Sequence, residues 1–336
     1  MRRHLRKTLV AAAVVGAVAT GLSGMASAYE YALSHLLVSG FAFSGSPATV
    51  ESYTFNLTNT AVLTGSPGVI TSASCSGTAT TTTCSAFPAN TLDAPVAEIP
   101  AGTRGGENNF TFVGPVGTYA SSDSVIYTAQ LVDGIPSSAE QIAEVDVAGN
   151  GTSLGNAELQ SNTTVTFEVD LASTFDLNFF ADPDMEAAIN DPPGGTHSAQ
   201  SNLTTSFTLT SNTDDSIFIT WSPQGTATND CIVSPAAALA GITCVETFDT
   251  QDLNHNLGTG TNPSDLQFSL EQANVLTQFG IHVTGLPQDT YSLALNSLTS
   301  ANVTSLQAAP EPVSLALVGV GLLGMGFGLR RRSNNA

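Results

Sequence analysis

Apolar and polar residues alternate with a period of two in short runs along most of the chain. The cleanest run sets Val165, Phe167, Val169 and Leu171 against Thr166, Glu168 and Asp170. After a short break, Phe175, Leu177 and Phe179 alternate with Asp176 and Asn178. Each run gives a strand one apolar and one acidic or polar face, whereas a helix would scatter the carboxylates around its surface. Weaker versions recur at 53–57, 109–113, 124–132, 142–147 and 266–270. Residues 29–44 open the chain with an aromatic-rich apolar run that predicts one or two strands. Runs at 203–210 and 216–221 predict a hairpin about Asn212-Thr213-Asp214-Asp215. Runs at 279–284 and 291–298 predict a closing hairpin about 285–289. Residues 64–107 are dominated by Ser, Thr, Gly, Ala and Pro and predict a loop-rich insertion, with 80–83 a β-prone polar run. Residues 102–106 predict a turn, 148–151 a hairpin-like turn, 236–241 a short helical turn, and 181–195 an acidic, proline-containing loop. No long helical period and no fixed-length repeat is present. The expected fold is all-β, an antiparallel β-sandwich of jelly-roll or Greek-key type.

The two ends break this pattern. Met1-Arg2-Arg3-His4-Leu5-Arg6-Lys7 is basic, 8–25 is apolar and small, and Ala26-Ser27-Ala28 fits an A-x-A cleavage site. This predicts a secretory signal peptide over 1–28 and a mature chain beginning at Tyr29. At the other end Pro310-Glu311-Pro312 precedes 17 uncharged residues, 313–329, and then Arg330-Arg331-Arg332. Seventeen helical residues cover about 25 Å, the short end of what crosses a hydrocarbon core of about 30 Å. The arginines would hold the end on the cytoplasmic side, leaving the body across the membrane.

The order Pro-Glu-Pro, short Gly-rich span, Arg cluster, chain end resembles a PEP-CTERM sorting signal over residues 310–336. The resemblance implies bacteria with an outer membrane that make extracellular polysaccharide, and processing by an exosortase near the motif. It implies an export translocon, a transient stay in the inner membrane, and delivery to the cell surface or matrix. The segment Gly106-Glu107-Asn108-Asn109-Phe110, with Tyr119 and Asp123, resembles one subgroup of that family and implies no activity.

The domain expectation is therefore a signal peptide at 1–28, a sandwich ectodomain at 29–304, a linker at 305–309 and the sorting signal at 310–336. Composition allows a division near 150–156; one larger sandwich fits better, because the first half is short of strong strands. Without the two ends the charge picture changes. Arg104 is the one cation of the body, set against 27 carboxylates. Such a surface repels nucleic acid and anionic headgroups and can attract cations. Four cysteines fall in two local pairs, and in an exported chain Cys75–Cys84 and Cys231–Cys244 are the expected disulfides.

Candidate chemistry is sparse. Asp182, Asp184 and Glu186 form the densest carboxylate group, a Ca²⁺ candidate without EF-hand spacing. No other cofactor is expected. The histidines His35, His197, His255 and His282 are dispersed, without zinc spacing. No G-x-S-x-G elbow, P-loop or dinucleotide fingerprint occurs. Arg104 reads first as a structural pair fixing a Gly-rich loop, second as a grip on an acidic sugar. Trp221 follows Ile217 and Ile219 in register and reads first as core, second as a sugar platform. The expected function is a non-enzymatic structural or adhesive role in biofilm or floc. The alternative is a carbohydrate-binding module using Trp221, exposed tyrosines and Ca²⁺. A matrix-modifying enzyme has no specific support.

Overall fold

The structure is a computed structural model and describes residues 29–45, 49–78, 91–127, 136–148, 155–190, 195–226, 228–261, 263–269 and 276–307. The signal peptide, the sorting signal, residues 80–83 and Cys84 lie outside the described residues. Among the described residues, no helix is long and apolar enough to cross a membrane.

The described chain is all-β apart from one short helix. In order it forms β1 (Tyr29–Gly45), β2 (Thr49–Leu63), β3 (Val69–Thr78), β4 (Thr91–Ile99), β5 (Tyr119–Tyr127), β6 (Ser138–Ala148) and β7 (Gly155–Asn190). There follow β8 (Gly195–Ser211), β9 (Phe218–Trp221), β10 (Cys231–Val233), α1 (Pro235–Leu239), β11 (Thr243–Asp249), β12 (Asn256–Thr259), β13 (Ser264–Phe268) and β14 (Thr277–Gln307). All ladders between these strands are antiparallel.

Two long strands pass through two layers. The first half of β7 pairs with β2 and with the second half of β14, which pairs in turn with β8. Beyond these lie β3 on one side, and β9 and β10 on the other. The second half of β7 pairs with β1, which carries β6, β5 and β4 outward, and with the first half of β14, which carries β11. The change of layer falls where Ser173 adopts φ 69° and the β7–β14 register shifts about Leu286. Gly285 sits there at φ 79°, and a Cβ would come 2.5 Å from the Gly241 carbonyl oxygen, so only glycine fits.

Side chains bridge the layers face to face, giving a β-sandwich-like body. Asn59 of β2 donates to the Ala94 carbonyl of β4 (2.9 Å) and accepts from Ser124 of β5 (2.7 Å). Gln141 of β6 donates to Ser297 of β14 (2.7 Å). Between them lies an interior of small side chains, among them Ala32, Ala61, Ala143, Ala187, Ala199 and Ala301. The other part of the core is aromatic. There Phe179 stacks on Phe279 at 5.2 Å, and Trp221 on Phe207 at 5.0 Å.

Several expectations need correction. The acidic stretch after Ala181 is not a loop, because β7 runs unbroken to Asn190. Its carboxylates at 182, 184 and 186 are the outer phase of a strand whose other phase, Met185, Ala187 and Ile189, is buried. The closing hairpin is one bent strand, β14, with both apolar runs on it. The region 64–107 contains two strands, β3 and β4, as well as loop. The ladders β1–β7 and β2–β7 join strands from both sides of 150–156. The β8–β9 hairpin and the helical turn, α1 with Ser234 as its N-cap, are as expected. Cys231 and Cys244 are bonded, with Cα atoms 5.8 Å apart. Cys75 is buried on β3, and its expected partner Cys84 is outside the described residues.

Candidate functional site

The layer β4-β5-β6-β1-β7 has an acidic outer face, and one loop covers it. Strand alternation sends Asp123 of β5, Glu144 and Asp146 of β6, and Asp182 and Asp184 of β7 away from the other layer. Each of these five is buried. The segment 100–118, between β4 and β5, supplies donors to Asp123, Glu144 and Asp146, and Asp184 is paired instead by His35. Buried carboxylates are tolerated only when such partners are present.

The anchor is Arg104. Its side chain is fully buried, and Nη1 pairs with Glu144 Oε2 at 3.0 Å. Nε and Nη2 donate to the Asn109 carbonyl (3.1 and 2.8 Å), and Nη2 also to that of Thr111 (3.0 Å). Glu144 Oε1 accepts from Tyr31 Oη (2.6 Å) and from the backbone N–H groups of Val113 and Gly114 (both 2.8 Å). Gly117 N–H donates to Asp146 (2.9 Å). The structural reading of Arg104 is the one realised, and among the described residues no other guanidinium is present to grip an anionic ligand. Burial, then the Glu30 and Glu144 charges, push Asp146 up to about 7 despite the Gly117 bond. Burial, Asp265 and Glu144 push Glu186 up to about 7.

Beside the anchor is a cavity of about 510 Å³. Its floor is His35 and Leu37 of β1, Glu140 of β6, and Asp182 and Asp184 of β7; its walls are Tyr127 and residues 108–112. His35 Nδ1 lies 3.2 Å from Asp184 Oδ2, and Nε2 lies 3.0 Å from Glu140 Oε1. Burial pulls the imidazole down. The hydrogen bonds to Asp184 and Glu140, with their charges, outweigh it and hold His35 above its ordinary value. Phe112 meets the imidazole edge-on at 5.6 Å and remains partly exposed.

Asp93 of β4, Glu107 of the loop and Asp123 of β5 bring their carboxylate oxygens within 4.8 Å of one another. Asn108, at φ 57°, donates its backbone N–H to Asp123 Oδ2 (3.0 Å) and its side-chain amide to Asp93 Oδ2 (2.5 Å). Burial, Glu107 and Asp93 push Asp123 up to about 7. A second triad, Asp230, Glu246 and Asp249, lies beside the Cys231–Cys244 bond and meets the same 4.8 Å limit.

The predicted Ca²⁺ set, Asp182, Asp184 and Glu186, is not brought together. Positions 182 and 186 on one strand are about 13 Å apart. Two oxygens on one Ca²⁺ are no more than about 5 Å apart. Asp184 instead faces His35, and Asp182 lines the cavity. Trp221 is core, 1% exposed, its indole N–H donating to Glu246 (2.6 Å), so it is not a sugar platform. Nor are most of the tyrosines exposed: Tyr31, Tyr53, Tyr119 and Tyr291 are buried. The His35 cavity was missed because its residues come from positions 35 to 184 in sequence. The advance signs of the covering loop were the Gly-rich turn around Arg104 and the segment 106–110; the alternating run 109–113 predicted a strand there, and the structure makes it irregular.

No protein-family model and no curated protein matches the chain. Solved structures similar to it include a chain of infectious bursal disease virus, Gt strain, at 9% identity. That match covers 88% of this chain and 85% of that one, with a TM-score of 0.11. A chain of the Gx strain matches at 12% identity over 86% and 68%, also with a TM-score of 0.11. Scores this low establish no shared fold.

Proposed function

We propose that the protein is an exported, exosortase-processed surface or matrix protein with an adhesive role, and that the His35 cavity takes a neutral saccharide. On this reading the body is a jelly-roll or Greek-key sandwich between a cleaved signal peptide and a C-terminal transmembrane sorting helix. Its matrix partner is the extracellular polysaccharide itself. The cavity is the observation that carries the adhesive part. Its volume lies within the range of small-ligand sites. Phe110, Phe112 and Tyr127 offer flat apolar faces. Glu140, Asp182 and the Tyr127 hydroxyl offer the polar groups that sugar hydroxyls need. The surrounding carboxylates disfavour uronic or sulfated sugars.

A panel of immobilised neutral, amino and acidic saccharides tests this. The protein should bind neutral or amino sugars, and Phe112→Ala should weaken that binding by about tenfold, the loss of one stacked ring. Preference for acidic polymers, or undiminished binding by F112A, would contradict it. The sorting part rests on the terminal motifs. Removing residues 310–336 should abolish processing and change the fraction in which the protein is found; an unchanged fraction and mass would sink it.

A further inference from the structure

We infer that Asp93, Glu107, Asp123 and Asn108 form a Ca²⁺ site that ties the loop 100–118 to β4 and β5. The first ground is convergence. Oxygens from two strands and a loop lie within 4.8 Å of one another, although β4 and β5 could have faced any side chains toward this spot.

The second ground is independent of the cluster's charge. Asp123 is fully buried, and its Oδ1 has no hydrogen-bond donor. Asp93 Oδ1 and Asn108 Oδ1 are likewise buried without a donor. Native proteins rarely leave buried acceptors unsatisfied, and these three belong to residues tied to one another through the Asn108 hydrogen bonds. The Asn108 amide N–H group and backbone N–H are already committed to Asp93 and Asp123, which holds this residue between the two strands. The remaining need is for positive charge, and no Lys or Arg of the body is left to meet it. Arg104 is the sole Lys or Arg of the body, and its hydrogen bonds go to Glu144, Asn109 and Thr111.

The donor set selects the ion. It offers carboxylate and amide oxygens, with neither nitrogen nor sulfur, which suits a hard cation rather than zinc or copper. Ligands drawn from strand and loop, with irregular spacing, suit Ca²⁺ better than the octahedral demands of Mg²⁺. Glu107 is exposed, giving an entry path and room for water ligands. Asn108 also lines the His35 cavity, so the ion would fix one wall of it.

Calorimetric titration of the chelator-stripped protein with CaCl₂, at about pH 7.5 so that carboxylate ligands are ionised, tests this. One Ca²⁺ should bind per chain. Asp123→Asn and Glu107→Gln should each weaken it by about tenfold or more, since ligand charge sets affinity. Asp249→Asn, in the other triad, should leave it unchanged. Glu107 is an exposed loop side chain, so E107Q keeps the test informative should D123N fold poorly. Three results would overturn the site: no uptake up to about 10 mM, above the range of weak extracellular modules; undiminished binding by E107Q; or loss in D249N instead. No saccharide enters the measurement, so its outcome is separable from that of the glycan panel.

Discussion

The triads Asp93/Glu107/Asp123 and Asp230/Glu246/Asp249 have the same number of carboxylates within the same 4.8 Å limit, yet their charge is handled differently. In the second triad the protein supplies the partners. Glu246 accepts from the Trp221 indole (2.6 Å), and Asp230 from Thr226 (3.0 Å). Asp249 accepts from the backbone N–H groups of Gln224 and Gly225 (both 3.1 Å). All three side chains remain partly open to water. In the first triad, Asp123 is sealed from solvent and acceptors are left over. Proximity of carboxylates therefore says little. What distinguishes a cation site from a satisfied acidic turn is whether donors remain missing after the protein's own groups are counted.

The difference can be broken most forcefully at the anchor. Arg104→Ala should destabilise the protein by about 3–5 kcal/mol, because it leaves Glu144 buried without its counter-charge. Chemical denaturation should show this. The variant should also lose Ca²⁺ affinity, since the loop bearing Glu107 and Asn108 is held by Arg104. A smaller effect is expected in the other triad. Asp249→Ala removes two backbone hydrogen bonds to a partly exposed carboxylate and should cost about 1–2 kcal/mol. That loss should be the same with calcium or with chelator.

The smallest effect concerns pH, measured in chelator. Asp146 and Glu186 have folded-state values pushed up to about 7. An unfolded carboxyl has lost its proton by about pH 5, whereas these two still hold theirs. The folded state therefore binds more protons between about pH 4 and 7, and stability falls as pH rises through that window. The melting temperature should be higher at pH 5 than at pH 8. Asp146→Asn, which keeps an acceptor for Gly117, should flatten part of that slope. A wild-type midpoint that rises from pH 5 to 8 would contradict the assignment.

Much of the strand content is legible in the sequence, because alternation is local. The runs at 165–171 and 175–179, the 203–221 hairpin and the turn capped by Ser234 depend on neighbours a few residues apart. Three features are not legible, and each is non-local. Whether 182–186 continues a strand depends on β1 lying beside it, more than 140 residues away in sequence. Whether 279–298 turns back or bends depends on a matching irregularity at Ser173 in β7. A carboxylate at an outward strand position reads as solvated unless something covers it. Here the cover is the segment 100–118, whose sequence reads as a turn at 102–106 and a strand at 109–113, neither of which announces a cover. The acidic face therefore stood out at Asp182 to Glu186, where carboxylates crowd in sequence. The convergent set, Asp93, Glu107 and Asp123, is spread over thirty residues.

The central claim is that orphaned acceptors at a carboxylate cluster, not the cluster alone, mark the cation site. The most direct measurement is anomalous diffraction from crystals of the protein soaked in Ca²⁺ or Mn²⁺. We predict a peak bonded to Asp93, Asp123 and the Asn108 side-chain oxygen, and none at Asp230, Glu246 and Asp249. A peak at the second triad alone, or no peak at the first with the acceptors still unsatisfied, would contradict it.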